Sequence, residues 1–243
     1  MASVDLPADR WVVLSSVAHG DSAWIVRALS RELGVIAVWT PVGKVKKRKV
    51  AMFHPMALLE VNGIHRKGSE GLYRFKEARR AVQMDALLTD VRRSAVAFFL
   101  AELVWRTLPE EHPHSEVADL LWSAATSLST TDAPQHVHLR FLIGLVIQLG
   151  LAPEAPPSEH VPGFNLMTGE WEGVHLHSED LWDAGTASAF WSCLSSAKSG
   201  VDHPKLPGEM RRRLVPGMVR YIQHHLSGLK TIKSLQVLEE VFA

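Results

Sequence analysis

The sequence predicts an α+β protein, with a small five-stranded barrel over residues 1–80 followed by an all-helical domain over residues 81–243. Three observations carry that prediction. Short β-rich runs separated by turn residues fill the first eighty positions. From Asp85 onward apolar residues recur at helical spacing. The charge pattern changes at the same point. Residues 1–80 hold 14 Lys/Arg against 7 Asp/Glu, residues 81–210 hold 6 against 17, and residues 211–243 hold 6 against 2. A formal net charge of zero therefore conceals a basic first third, an acidic middle and a basic tail. Such asymmetry suggests one surface for a polyanion and another for a different partner.

The strands are read in order. Trp11 to Val17 is rich in β-formers and ends at the turn His19-Gly20-Asp21-Ser22. Ala23 to Ser30 places Trp24, Val26 and Ala28 on one face and Ile25, Arg27 and Leu29 on the other. Gly34 breaks the chain before a third strand, Val35 to Val42. Met56 to Val61 is a fourth, followed by turn chemistry at Asn62-Gly63 and Lys67 to Gly71. Leu72 to Ala78 alternates between apolar and charged residues and is a fifth. Five short strands in this span suit the OB-fold, whose surface commonly binds oligonucleotides; an SH3-like barrel fits the pattern nearly as well.

The helical region begins with Asp85 to Leu108, stopped by Pro109. Ser115 to Leu128 and Ala133 to Leu149 follow, the latter ending at Gly150. Pro153, Pro156, Pro157 and Pro162 open an irregular insert near residues 153–176, with a hairpin or ordered loop from Phe164 to Trp171. Ser178 to Ser196 is helical despite Gly185. Pro207 to Leu226 is a helix kinked or split at Pro216, and Ser234 to Phe242 is a short terminal helix.

A hydrophobic fraction of 47% is that of a globular core. The single Cys193 excludes an internal disulfide and a multi-cysteine zinc site, which fits a reducing cytosol. The start lacks the pattern of a signal peptide, and the longest apolar stretch, Phe141 to Leu151, is too short to span a bilayer. The close His pairs 112/114, 175/177 and 224/225 lack a completing ligand, so no metal is assigned. No nucleophile elbow, phosphate-cradling loop or nucleotide fingerprint is present, so neither a catalytic residue nor a cofactor is assigned.

The densest chemical signal is Gly43-Lys44-Val45-Lys46-Lys47-Arg48-Lys49. Lys44, Lys46, Lys47, Arg48 and Lys49 repel one another unless water or an anion separates them, and a phosphate backbone supplies such an anion. Arg27, Arg66, Lys67, Arg74, Arg79 and Arg80 extend a candidate DNA track around the barrel. Among aromatics, Trp11 and Trp39 read as core, while Phe53 and Trp24 are the better candidates for base stacking. Arg211-Arg212-Arg213, with Arg220, Lys230 and Lys233 beyond it, form a second basic cluster, and Arg140 at the start of an apolar helix is a further candidate beside it. It offers either more DNA track or a pocket for an acidic peptide, with Arg140, Arg213 and Arg220 as partner-binding candidates.

Several segments in order resemble the RecO family of bacterial recombination mediators, in its cysteine-poor form. They are His19 to Arg27, Arg31-Glu32-Leu33-Gly34, Val42-Gly43 with the basic run, His54 to Glu60, and Val91 to Trp105. The most specific are Tyr221 to Leu229 and Ile232 to Leu238. The resemblance implies an N-terminal OB-fold, a helical domain and no enzymatic turnover. It also implies binding to single- and double-stranded DNA, annealing of complementary strands, and, with RecR, loading of RecA onto strands coated with single-strand binding protein, whose acidic C-terminal tail is a further partner. A cytoplasmic, nucleoid-associated location without membrane contact goes with it. Two features depart from the family pattern. No cysteine lies around Phe164 to Trp171, where some members hold zinc, and Lys44 stands where the pattern favours Arg, which loses bidentate geometry. The alternative reading is an OB-fold RNA-binding or translation-associated module, which a 2′-hydroxyl preference would distinguish.

Overall fold

The computed structural model describes residues 8–20, 23–41, 52–66, 72–158, 161–173 and 178–243. The chain is α+β. Its strands are β1 (Asp9–His19), β2 (Ala23–Ser30), β3 (Gly34–Pro41), β4 (Leu58–Asn62), β5 (His65–Arg66), β6 (Tyr73–Arg74), β7 (Glu77–Arg80), β8 (Gly163–Asn165), β9 (Glu170–Glu172) and β10 (Leu181–Trp182). The described α-helices are α1 (Asp85–Thr89), α2 (Val91–Thr107), α3 (Ser115–Thr130), α4 (Val137–Gln148), α5 (Ala184–Lys198), α6 (Gly208–His225) and α7 (Ser234–Val241). Two compact units result, Met1–Pro134 with Ile232–Phe242, and Gln135–Thr231 with Ala243. The division runs through the helical region: α1, α2, α3 and α7 fold with the N-terminal sheet.

In the first unit seven strands form one sheet in the order β5-β6-β3-β2-β1-β4-β7. The number differs from the five expected because the run Leu72 to Ala78 splits. Tyr73 pairs in parallel with Val38 of β3, whereas Glu77 to Arg80 pair antiparallel with β4. Those two partners lie on opposite sides of the sheet order, yet only Phe75 and Lys76 separate β6 from β7. Three Cα steps span at most about 11 Å, while five strand intervals in a flat sheet would need about 24 Å. The sheet therefore curls until its two sides approach. A β-bulge between Val13 and Ser15 adds local twist to β1.

The curl encloses a core of Trp11, Val13, Val26, Ala28, Ile36, Val38, Leu59, Val61 and Tyr73, joined by Phe53, Ala57 and Ile64. Period-two alternation sends Val26 and Ala28 inward, as expected for that face of β2. Asp9 anchors the start of β1 from a buried position, where it accepts hydrogen bonds from Trp11 Nε1 (2.9 Å) and from Ser30 Oγ. Gly34 turns β2 into β3 at φ +77°, and a Cβ there would overlap the His112 carbonyl, so this turn admits only glycine.

The single helix expected from Asp85 to Leu108 is two. Asp90 breaks it, accepting hydrogen bonds from the Arg92 and Arg93 N–H groups at 2.8 and 3.3 Å and so capping α2. The C-terminal α7 is tied to α2 through Glu102, which accepts from Ser234 N–H (2.8 Å) and Ser234 Oγ (2.7 Å).

The second unit packs α4, α5 and α6 with a three-stranded sheet in the order β10-β8-β9. The expected hairpin appears as β8 and β9. The helix expected from Ser178 starts at Ala184 instead, because Asp183 caps it by accepting from Thr186 N–H at 2.7 Å, which leaves Leu181–Trp182 to pair with β8. Helix α6 runs unbroken through Pro216. Phe164 is fully buried among the rings of Trp171, Trp182, Phe190 and Tyr221, at centroid distances of 4.7 to 5.9 Å. Cys193 is buried, and burial pushes its thiol pKa up to about 11.

Candidate nucleic-acid interface

The face of the first sheet opposite the core carries a row of side chains that follows from strand register. Val17 pairs with Ile25, and Ile25 with Trp39. The Val38–Tyr73 pairing sets Arg74 beside Trp39, and Arg74 pairs with His65. Five adjacent strands thus present Val17, Ile25, Trp39, Arg74 and His65 in one crosswise line. The guanidinium of Arg74 sits over the Trp39 ring, 4.0 Å from its centroid. Trp39, Ile25, Arg74 and His65 are half-buried and Val17 is 56% exposed, so the row is open to solvent. Farther along the same face Arg27 lies 4.6 Å over Trp105 of α2, and beyond it Leu29 and Val35 are fully buried. Helix α2 marks the covered end of the sheet face and the Trp39 row the open end.

Ala23 pairs with both His19 and Pro41, so the β1–β2 turn and the chain leaving β3 are at the open end. Pro41 is the last described residue before the basic run. Lys44, Lys46, Lys47, Arg48 and Lys49 lie outside the described residues, as does Lys67, and the side chain of Arg66 on β5 is likewise not described. The remaining track cations are engaged with carboxylates: Arg79 with Glu60 at 2.6 Å and Arg80 with Asp85 at 3.9 Å. Among the described residues no carboxylate pairs with Arg74.

Two aromatic expectations are corrected. Phe53 is 5% exposed within the core and has no face to offer a base, whereas Trp39, read as core, faces outward. The reason is register: Ile36 and Val38 take the inward positions of β3, which leaves Trp39 on the other side. An apolar strand gives no sequence signal for which parity faces the core when both faces are rich in large residues. Trp11 is core, as expected.

In the second unit the partner-binding candidates separate. Arg213 forms ion pairs with Asp183 (3.3 Å) and Glu209 (3.1 Å), and Arg220 with Glu179 (3.1 Å) and Asp180 (3.8 Å). Both are neutralised by their own unit. Arg140 is exposed on α4 and close to His136 and His203. Burial lowers the pKa of His136, and Arg211, Arg140 and Lys205 lower it further; burial and Arg140 lower that of His203 against the pull of Asp202. Among the described residues Arg140, Lys205 and Arg211 have no carboxylate partner. This cationic group draws on residues from 136 to 211, a spread that hides it from a scan for local charge runs. Beneath it His138 is buried, and burial pushes its pKa down to about 3.

Among the described residues no group of three or more His, Cys, Asp or Glu could hold a metal ion. The one thiol, Cys193, is buried and joins no such group among the described residues, so those donors do not fit a thiolate zinc site. His175 and His177 lie outside the described residues. No described helix is long and apolar enough to cross a membrane.

Residues 6–82 match the family description Recombination protein O N terminal, and residues 88–155 match Recombination protein O C terminal. The chain is similar along nearly its whole length to curated relatives. It is 27% identical over 235 residues to the DNA repair protein RecO of Flavobacterium psychrophilum, covering 96% of this chain and 97% of that one. It is 28% identical over 236 residues to that of Christiangramia forsetii, covering 95% and 97%. A shorter match to the protein of Porphyromonas gingivalis is 29% identical over 150 residues, 60% of this chain and 61% of that one. Two family halves in the right order, and relatives matched along nearly the whole chain, lead to one conclusion: the chain belongs to the RecO family of DNA repair proteins.

Proposed function

We propose that this chain is a non-enzymatic recombination mediator whose N-terminal unit grips DNA by its phosphates. In this reading the curled sheet is an OB-type barrel in which β6 and β7 together serve as one interrupted fifth strand, running parallel to β3 and antiparallel to β4. The chain binds single- and double-stranded DNA, anneals complementary strands and, with RecR, helps load RecA onto strands coated with single-strand binding protein. It works in the cytoplasm, at the nucleoid. The observation that carries the reading is the open cationic and aromatic sheet face at the same end as Pro41, from which a run of five cations departs. An OB barrel uses this face, on its second and third strands, for oligonucleotides. Cations that release counterions from phosphates give affinity without sequence choice.

The cationic group around Arg140 on the second unit suits an acidic peptide, and the acidic tail of single-strand binding protein is the occupant we assign to it. Charge-assisted hydrogen bonds from Arg140 and Arg211 to carboxylates would hold such a tail. Arg213 and Arg220 contribute less, since each is already paired.

The test is a strand-annealing assay with complementary oligonucleotides, bare and coated with single-strand binding protein. The chain is expected to accelerate annealing of both, and the double variant Arg140→Ala/Arg211→Ala to lose the effect on coated strands only. Failure to anneal bare strands, or tighter binding to RNA than to DNA of equal length, contradicts the reading.

A further inference from the structure

From the Trp39 row we infer a stacking site for an unpaired nucleobase, which makes this sheet face selective for single-stranded over duplex DNA. The inference rests on the DNA-binding reading above and adds to it a named subsite and a preference that phosphate contacts alone cannot supply.

Trp39 and Arg74 come from neighbouring strands and stack at 4.0 Å, forming a composite of an indole and a guanidinium. Both groups accept a base on a flat face, and a guanidinium does so while contributing charge. The stack is anchored from behind, because Val38 and Tyr73, the residues preceding Trp39 and Arg74, are inward-facing and buried at 0% and 7% exposure. The platform is thus fixed by two core side chains and needs little reordering to receive a base.

Ile25 and Val17 extend the row as apolar ground on one side, and His65 flanks Arg74 on the other. The row crosses five strands, a width of about 19 Å, across the strand direction. A single strand laid along it meets an apolar surface, an aromatic ring and a cation in succession. The guanidinium of Arg74 also carries the charge that would meet the phosphate flanking the stacked base.

Bases of a duplex are stacked on each other and present only their edges in the grooves, so they cannot reach the ring without unpairing. Basic side chains elsewhere on the chain attract both forms of DNA. Only a platform that engages the flat face of a base distinguishes them.

The experiment compares three probes of equal length by fluorescence anisotropy at fixed moderate salt: oligo(dT), an abasic strand with the same phosphates, and a duplex. The full chain is expected to bind oligo(dT) about five- to 150-fold more tightly than the abasic strand, the range that one stacked base contributes. Trp39→Ala and Arg74→Lys should each reduce that preference toward unity, weakening oligo(dT) binding more than binding of the abasic strand or the duplex. Arg74→Lys keeps the charge and tests the planar stack alone. Trp39→Phe, which keeps a ring and the fold, should retain a measurable preference.

If the unaltered chain binds all three probes but treats oligo(dT) and the abasic strand alike, the stacking site is wrong and the DNA reading stands. The stacking site is equally wrong if Trp39→Ala weakens binding of all three probes by the same factor. If the unaltered chain binds none of them, the DNA reading fails and the subsite with it.

Discussion

His138 shows at the scale of one residue how burial becomes a solution property. Its imidazole is 5% exposed and stays neutral in the folded chain until the pH approaches about 3, whereas the unfolded side chain titrates near its ordinary value of 6.5. Because the folded pKa lies below the unfolded one, the unfolded state binds more protons between those values. Stability is unaffected above about pH 6.5 and falls as the pH drops through the window toward about 3. Lowering the pH from 7 to 5 should cost about 2 kcal/mol at this residue alone. Urea unfolding of the unaltered chain and of His138→Gln at both pH values checks this: the variant should lose the smaller amount on acidification, and equal losses would refute the assignment. The burial of this residue was not legible in the sequence, where thirteen histidines look alike. Trp39 and Phe53 carry the same lesson. Hydrophobic residue type predicts burial on average, but which of two large aromatic side chains faces outward depends on strand parity and pairing.

At the scale of elements, strands and helices were legible wherever a local rule decides them. The runs at Trp11 to Val17 and Ala23 to Ser30, the helices expected at Ser115 to Leu128 and Ala133 to Leu149, and the terminal helix follow from periodicity and turn residues. The splits were not legible, because each depends on a distant partner. The run from Leu72 to Ala78 divides so that it can pair with β3 at one end and β4 at the other, and no local pattern announces that. Helix α7 depends in the same way on Glu102. Burial acts to raise the pKa of that carboxyl, but hydrogen bonds from Ser234 and the Lys233 N–H, together with the charge of Arg106, outweigh it and the net pKa is lowered. The tether therefore holds above about pH 4.5 and is lost as the carboxyl protonates below it. Glu102→Ala should destabilise the docking of α7 by about 1–3 kcal/mol, since it leaves the Ser234 N–H without its acceptor. Hydrogen exchange should then rise over residues 234–241 and not over α6; unchanged protection of α7 would show that its apolar face suffices.

For the whole molecule, charge is segregated along the chain, and segregation in sequence becomes segregation between units only in part. The basic first third belongs to the curled sheet, but much of the acidic middle folds onto that same unit through α1, α2 and α3, where Asp119 pairs with Arg10 and Arg31 at 2.8 and 3.1 Å. Acidic residues of the helices thus neutralise part of the basic sheet, while among the described residues Arg74 on its open face has no carboxylate partner. In the second unit, Asp183, Glu179 and Asp180 neutralise Arg213 and Arg220 in the same way. A linear count of cations overstates both surfaces, which is why the sequence located the basic regions but not the residues within them that remain available.

The central claim is that phosphate contacts through the basic run provide most of the affinity for DNA. Its most direct test is the dependence of single-strand affinity on salt for the unaltered chain and for the variant with Lys44, Lys46, Lys47, Arg48 and Lys49 replaced by Ala. The unaltered chain should weaken steeply as salt rises, and the variant should bind less tightly with its log–log slope shallower by about 3, as expected when up to five phosphate contacts are removed. An unchanged slope with unchanged affinity at moderate salt would contradict the claim.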